Sequence, residues 1–454
     1  MTVPTSKKTQ GGFFIMLSHQ DNEILSRVGP GTPTGELMRE YWIPAVLSSE
    51  LEKDAPPLRL LLLGEKLIAF RDSNGKVGIL DHRCPHRCAS LFFGRNEEAG
   101  LRCVYHGWKF DTEGNCLDMP NVPVDFRFEP RVKAKAYPTL EQGGLIWTYM
   151  GKRESAPPPP ALEVFNIPED ERNIQVHQRE CNWLQSLEGD IDTSHFGFLH
   201  VGSVDVDEVD PNNMHKYSII DRAPRYHVKE TDWGTMYSAY RPAEAGEYYH
   251  RFAHFMFPCF ALTPDGTFKN HVQATLNIPM DDTHTMTINV SWKRRELGLR
   301  TLKSGENIPG AGNDLRYLPR TTDWYGRFQL VSRKDNDYEI DRGMQARNES
   351  YSGIQSIGRQ DQACVESMEE IVDRSLEHLA PSDRMISVTR QRIIAAAKEF
   401  AASGKLPPTA RDPSICRGAR GGAFIAPVTM DWLEAYEKNL REVAVPRQVK
   451  QAAE

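Results

Sequence analysis

Hydrophobic positions along the chain change period twice. Over residues 18–40, Ile24, Leu25 and Val28 recur at helical spacing. The punctuation GPGTPTG then leads into a second short helical stretch, GELMREYW. From about 42 to 150 the period shortens. LRLLLLG, KLIAFRD, KVGILD, GLRCVYHGWKFD and GGLIWTYMG are separated by turn signals such as DSNGK and DTEGN, which predicts a small all-β unit. The longest apolar cluster, LRLLLLGEKLIAF at 58–70, is interrupted by Arg59, Glu65 and Lys66. It predicts a hairpin rather than a membrane span. ESAPPPPALE at 154–163 is a proline-rich, semi-rigid joint. Beyond it, HVQATLNIPM and HTMTINVSWKRR predict adjacent strands joined by DDT, and CNWLQSLEGDIDTSHFGFLH predicts a helix. Residues 361–379 and 382–403 predict two more helices, the second closed by a glycine. Residues 300–350 are polar and broken by Gly and Pro, as an insertion or lid would be. Strands with segregated helices predict an α+β domain. The expected division is an N-terminal helical segment (1–41), a β domain (42–155) and an α+β domain (156–454).

Composition narrows the class. The chain has 454 residues, 39% of them hydrophobic and 26% charged, with a formal charge of −7. That balance fits a packed globular protein and argues against nucleic-acid or polybasic membrane binding. The N-terminus MTVPTSKKTQGG lacks the apolar run of a secretion signal, so a cytoplasmic location is expected. Eight scattered cysteines do not form a disulfide framework. Clustered Cys and His in such a protein point instead to metal or catalysis.

The densest cluster is CPHRCASLFFGRNEEAGLRCVYH at 84–106. It contains Cys84-x-His86 and, after sixteen intervening residues, Cys103-x-x-His106. Zinc sites usually pair Cys with Cys and His with His, whereas each pair here mixes the two. Two thiolates and two imidazoles suit a [2Fe–2S] cluster with one iron on sulfur and the other on nitrogen. Neutral imidazoles lower the negative charge on the reduced cluster, raising its potential to roughly −150 to +300 mV. A zinc knot that recruits Cys88 is the competing reading; otherwise Cys88 is expected to be a small buried residue near the cluster.

A second constellation, Asp192-x-x-His195-x4-His200, lies in NWLQSLEGDIDTSHFGFLH. Two imidazoles and a carboxylate on one face of Fe(II) leave positions open for O2 and substrate. On a regular α-helix, residues five apart diverge by about 140°. A π-type bulge or a break near Gly197 is therefore expected. The third ligand has to be a remote carboxylate, and Asp361, Glu366, Glu369 and Glu370 are candidates.

Cys84-Pro85-His86-Arg87, with Cys103-Val104-Tyr105-His106-Gly107-Trp108-Lys109-Phe110 and the following Asp111 and Gly114, resembles the Rieske domain of Rieske non-haem iron aromatic-ring oxygenases. GPGTPTGELMREYW, LEGDIDTSH, KDNDYEIDR and DQACVESMEEIVDRS extend the resemblance over roughly 20–160 and 175–405. It looks closest to the phthalate-dioxygenase-like and methoxyaromatic O-demethylase-like oxygenase (alpha) components. The resemblance implies a helix-grip, START-like catalytic domain whose antiparallel sheet is flanked by helices. It implies a [2Fe–2S] cluster on Cys84, His86, Cys103 and His106, and a mononuclear Fe(II) on His195, His200 and Asp361, with Glu366 as the other choice. Asp192 becomes an electron bridge to a neighbouring subunit, with Glu188 and Asn182 extending that polar link or simply capping the helix. It also implies a homotrimer, in some members stacked as a hexamer, with O2 as co-substrate. No G-x-G-x-x-G follows a strand, so NADH electrons are expected from a separate reductase.

The product implied is a cis-dihydrodiol, or a phenol after demethylation of a methyl ether. For the substrate pocket, HRFAHFMFPCFAL at 250–262 offers Phe255, Phe257 and Arg251. Arg251 could bind a carboxylate bidentately or sit in a surface ion pair. The position matching a second phthalate-binding arginine is near Tyr217, which favours a monocarboxylate or a phenolic methyl ether. The competing functions are monooxygenation of an alkyl ether or tertiary alcohol, and electron transfer without oxygenation.

Overall fold

The computed structural model describes residues 17–443. The N-terminal stretch used above to argue against a secretion signal lies outside the described residues. Helix α1 (His19–Ser26) is opened by Ser18, whose side chain accepts from Asp21 N, and α2 (Pro33–Arg39) carries proline in its first turn. Eleven strands follow: β1 (Trp42–Leu47), β2 (Leu58–Leu62), β3 (Glu65–Arg71), β4 (Val77–Asp81), β5 (Arg95–Glu97), β6 (Gly100–Arg102), β7 (Lys109–Phe110), β8 (Cys116–Asp118), β9 (Ala136–Tyr137), β10 (Thr139–Gln142) and β11 (Leu145–Tyr149). They build three small sheets, β1-β11-β10, β2-β3-β4-β9 and β5-β6-β7-β8.

The predicted hairpin at 58–70 is β2–β3, with Leu62 opposite Glu65. Its two turn residues, Leu63 (φ 49°) and Gly64 (φ 77°), are both left-handed, as a tight hairpin requires. Leucine is a costly choice there. Its position is over-determined by docking: Leu63 N and Gly64 N donate to Pro279 O and Met280 O of the larger domain, at 3.0 and 2.8 Å.

That domain contains β12 (Arg172–Arg179), α3 (Trp183–Ile191), α4 (Tyr217–Ile220), β13 (Arg225–Thr231), β14 (Gly234–Pro242), β15 (Glu247–Met256), β16 (Phe260–Leu262), β17 (Gln273–Pro279), β18 (Thr285–Trp292), α5 (Arg342–Ala346), α6 (Ile357–Glu366), α7 (Arg384–Ser403), β19 (Gly422–Pro427) and α8 (Trp432–Leu440). The strands form one antiparallel sheet, ordered β12-β18-β17-β16-β15-β14-β13, with β19 added against β15. The two strands predicted around DDT are β17 and β18, paired from Gln273–Ser291 to Pro279–Thr285.

Every residue of β17 is buried, yet the strand alternates. Ala274, Leu276 and Ile278 face one way; Gln273, Thr275 and Asn277 face the other. The register carries that polar face across Asn289 and Thr287 of β18 to Gln175 and His177 of β12. A buried polar face on a sheet is expensive unless something uses it. Helix α7 buries Met385, Ile386, Thr389, Ile393, Ile394 and Ala397 along one stripe and ends at Gly404 (φ +71°).

Two predicted helices are cut short. The segment 182–200 is not one helix: α3 stops at Ile191, and a π-helical turn covers Phe196–His200. The break comes at Asp192, whose Oδ1 accepts from Ser194 N at 2.7 Å and so competes with the helical ladder. The segment 361–379 is helical only to Glu366. Contacts with the start of α3 turn the chain there: Gln185 Nε2 donates to Val365 O and Glu369 O, and Asn182 N to Glu370 O. Those tertiary bonds replace the helical ones the local pattern would allow.

Candidate metal centres

The first centre is built by two matching loops. Cys84 N donates to Ala89 O (2.8 Å) and Cys88 N to Cys84 O (2.9 Å); Cys103 N donates to Trp108 O (2.8 Å) and Gly107 N to Cys103 O (2.9 Å). Each loop reverses at a left-handed residue four positions after its cysteine, Cys88 (φ 59°) and Gly107 (φ 81°). At Gly107 a Cβ would come within 2.5 Å of Pro120, so glycine is required. Cys88 is exposed, not the buried residue expected: its backbone makes the turn while its thiol lies in solvent.

Cys84 and Cys103 are buried, and His86 and His106 form the half-buried outer edge. The two imidazole centroids are 4.4 Å apart, and Trp108 stacks on His86 at 4.3 Å. The N–H groups of His86 and Arg87 point at the Cys84 sulfur, and those of Tyr105 and His106 at the Cys103 sulfur. Such donors stabilise anionic sulfur. Cys103 is held down to about 6, first by the Cys84 S–H and then by these amides, and Cys84 is pushed up by the same pairing and by burial. Sulfur inside and nitrogen outside is the donor set a two-iron cluster needs. Among the described residues, only His195, His200 and Asp361 gather three donor atoms within 4.8 Å of one another. The Cys/His set is too wide for one zinc ion.

His195, His200 and Asp361 form the second centre. His195 Nε2 lies 3.0 Å from His200 Nε2, and Asp361 Oδ1 lies 3.5 and 3.1 Å from them. Donors on one face of an octahedral ion with bonds of about 2.1 Å stand about 3.0 Å apart, so the trio fits. The π turn solves the spacing problem. Val201 N donates to Phe196 O, five residues back, at 3.3 Å. That wider turn brings residues five apart onto one side. At Gly197 a Cβ would meet Ser218 O at 2.9 Å, so only glycine lets this turn approach its neighbour.

Each imidazole is oriented from behind. Asp192 Oδ2 sits 3.3 Å from His195 Nδ1 while its other oxygen accepts from Ser194. Burial would lower the His195 pKa, but Asp192 and then Asp361 hold it up at about 9. Burial would likewise raise Asp361, and His200 holds it below the usual range. His200 Nδ1 meets Gln360 Oε1 at 2.7 Å. Gln360 Nε2 donates to Ile354 O (2.8 Å) and Gly310 O (3.2 Å), which fixes the amide so that its oxygen faces the ring. His200 must then carry its proton on Nδ1 and turn the Nε2 lone pair to the centre. Nothing in the sequence singled out Gln360.

A cleft opens beside Asp361. Its walls come from the polar face of β12, β17 and β18 and from the segments around 263–265, 295–300 and 313–315. Arg179, Arg295 and Arg300 line it; Arg251 does not. Arg251 is buried with its guanidinium 4.6 Å over the Phe196 ring and 3.9 Å from Asp265. Burial would raise Asp265, but Arg251, His271 and Arg300 hold it at about 2. Phe255 and Phe257 are also absent from the cleft, a correction to the expected pocket. Phe255 is packed in the main core, and Phe257 lines a separate apolar cavity with Tyr41 and Trp42.

Asn182 caps α3, accepting from Leu184 N and donating to Ser26 O and Asp282 O. Glu188 is bound by Arg374 and Arg390. Glu366 accepts from Glu180 N, Gln362 and Tyr338, and stands apart from the trio. Arg295 and Arg300 went unnoticed in KRRELGLR, where a dense basic run directly after a buried strand was the available signal.

Residues 41–137 match the Rieske [2Fe-2S] domain family, and residues 148–454 match the family described as LigXa C-terminal domain like. The oxygenase subunit of a 3-chlorobenzoate-3,4-dioxygenase from Comamonas testosteroni is 50% identical over 425 residues, covering 93% of this chain and 98% of that one. The phthalate 4,5-dioxygenase oxygenase subunit of Pseudomonas putida is 35% identical over 402 residues, covering 85% and 88%. A caffeine-bound variant of NdmA from Pseudomonas putida CBB5 shares the fold, with a TM-score of 0.54 at 18% identity over 84% of this chain and 96% of that one. The chain belongs to the Rieske non-haem iron oxygenases, as an oxygenase component with a [2Fe–2S] cluster and a mononuclear iron, and it draws electrons from a separate reductase.

Proposed function

We propose that this oxygenase component hydroxylates or O-demethylates a substituted aromatic acid, phthalate-like, benzoate-like or methoxyaromatic, with O2 and electrons from an NADH-dependent reductase. The observation that carries the reading is an arginine-lined cleft whose wall includes Asp361 of the His195–His200–Asp361 trio. The relatives named for 3-chlorobenzoate and phthalate agree with an acid. When bound, the cluster supplies single electrons and the mononuclear iron activates O2.

The chain's own residues supply the rest. We assign the cluster to Cys84, Cys103, His86 and His106 of the 42–155 domain, whose strands pair only among themselves. We assign the iron to His195, His200 and Asp361 of the 156–454 domain. Asp192 keeps the His195 proton on Nδ1. Its half-exposed carboxylate offers a docking point for a cluster histidine of a neighbouring chain, in a homotrimer or stacked hexamer. Exposed Val104 and Tyr105 beside the cluster histidines are consistent with such a contact. No helix of the described residues is long and apolar enough to cross a membrane. Eight free thiols fit a reducing, cytoplasmic setting.

The test is substrate-dependent O2 uptake with a surrogate reductase, comparing 3-chlorobenzoate, phthalate isomers and vanillate-like acids against a tertiary alcohol. Product formation from an acid supports the proposal. Turnover of the alcohol alone, or metal analysis short of about three irons per two sulfides, refutes it.

A further inference from the structure

The cleft presents two arginines with buried guanidinium nitrogens that none of its own acids binds. The Arg295 guanidinium makes no hydrogen bond or ion pair among the described residues, and its Nη1 is buried. Arg300 donates only from Nη1, to Leu299 O at 3.0 Å, and its Nε is buried without an acceptor. Burial pushes Arg295 down to about 10. The nearby acids are occupied. Asp265 accepts from Thr263 and faces Arg251, Asp190 accepts from Asn277 Nδ2 at 2.7 Å, and Asp361 belongs to the metal trio. A charged nitrogen shut off from water is costly unless an acceptor, best an anion, completes it.

Both arginines sit on one short segment that is pinned in place. Leu297 bridges Gly266, Gly298 N donates to Asp265 O at 2.6 Å, and Ile308 N donates to Arg300 O at 2.9 Å. A Cβ at Gly266 would lie 2.1 Å from Glu296 O, so the two segments touch backbone to backbone. A pinned segment presents its guanidinium groups with little ordering left to do on binding.

The sheet floor adds a second element. Gln273 donates to Thr263 Oγ1 (3.1 Å) and Asn289 to Thr275 Oγ1 (3.2 Å), and the other end of each amide is buried without a partner. The two side chains project from adjacent strands on the cleft face.

We infer that Arg295 and Arg300 form the carboxylate-binding end of this cleft, and that Gln273 and Asn289 hold a second polar substituent, a hydroxyl, on the same aromatic ring. The inference rests on the proposed function and assigns the substrate class as a hydroxylated aromatic monocarboxylate. Arg251, buried against Phe196, instead holds Asp265 in place.

The test is anaerobic calorimetry on the full holoenzyme with benzoate, benzamide and 3-hydroxybenzoate as probes. Wild type binds benzoate more tightly than benzamide, and 3-hydroxybenzoate more tightly still. Arg295→Met and Arg300→Met each weaken benzoate about 10- to 100-fold and leave benzamide within about twofold. Arg295→Lys and Arg300→Lys recover part of the loss, and cluster spectrum and melting temperature report folding for each variant. Gln273→Leu removes the advantage of 3-hydroxybenzoate over benzoate. Equal binding of benzoate and benzamide by wild type, or unchanged benzoate affinity in both methionine variants, overturns the inference. Acid-dependent O2 uptake with an unchanged KM in those variants sinks the inference and leaves the proposed function standing. Benzoate bound through both arginines without O2 uptake from any aromatic acid does the reverse.

Discussion

Replacing Gln360 by leucine isolates a single orienting contact behind the iron site. The side chain is 1% exposed and makes three hydrogen bonds: from His200 Nδ1 at 2.7 Å, and to Ile354 O and Gly310 O at 2.8 and 3.2 Å. At about 1 kcal/mol per bond, losing all three costs about 3 kcal/mol of stability, partly offset by leucine's apolar burial. Metal retention should fall further than stability explains. Removing the partner of a ligating histidine typically weakens metal binding about 10- to 100-fold, or about 1.4–2.8 kcal/mol. Gln360→Glu separates the two effects, because it keeps an oxygen toward His200 while depriving Ile354 O and Gly310 O of the amide donor. The assay is the rate of Fe(II) loss to a chelator, alongside thermal unfolding of the metal-free proteins. Both variants should melt lower than wild type, and the leucine variant should lose iron markedly faster than the glutamate variant. Equal rates of iron loss in the two, or wild-type retention by the leucine variant, would refute the positioning role.

Asp361→Ala should drop the iron content from about three to about two per chain while the cluster's visible spectrum stays intact, as read by metal analysis and absorption. Normal iron content would move the ligand elsewhere, against the tether that holds Glu366 on Tyr338 and Glu180. Asp192→Asn should keep both metals and slow reoxidation of the reduced cluster at least about tenfold in a single-turnover experiment; wild-type rates would end the bridge proposal. Cys88→Ser should leave the cluster spectrum unchanged because the thiol is exposed, whereas Cys103→Ser should abolish it. A zinc knot using Cys88 would instead lose its metal in Cys88→Ser and show no visible cluster spectrum in any variant.

What the linear chain carried by itself was chemistry at fixed spacing. Cys84, His86, Cys103 and His106 sit on two short loops whose local turns orient them, so sequence distance and spatial distance nearly coincide. His195 and His200 are similarly local, and the misfit of their spacing to an α-helix was itself enough to demand the irregularity seen as a π turn. Hairpin and strand positions were legible for the same reason: 2.0-residue alternation and turn residues act over a few positions. What only the tertiary structure decided were contacts between distant segments. Helix α6 ends at Glu366 because α3 captures the next carbonyls. Gln360 reaches His200 across 160 positions. The sequence nominated Arg251 for its place beside aromatic residues, but the fold closes it behind Phe196 and brings Arg179, Arg295 and Arg300 to the cleft instead. An arginine's charge is written in the sequence; whether it meets a phenyl ring, a carboxylate or an open cleft depends on which strands pair and in which register, and no local pattern encodes that.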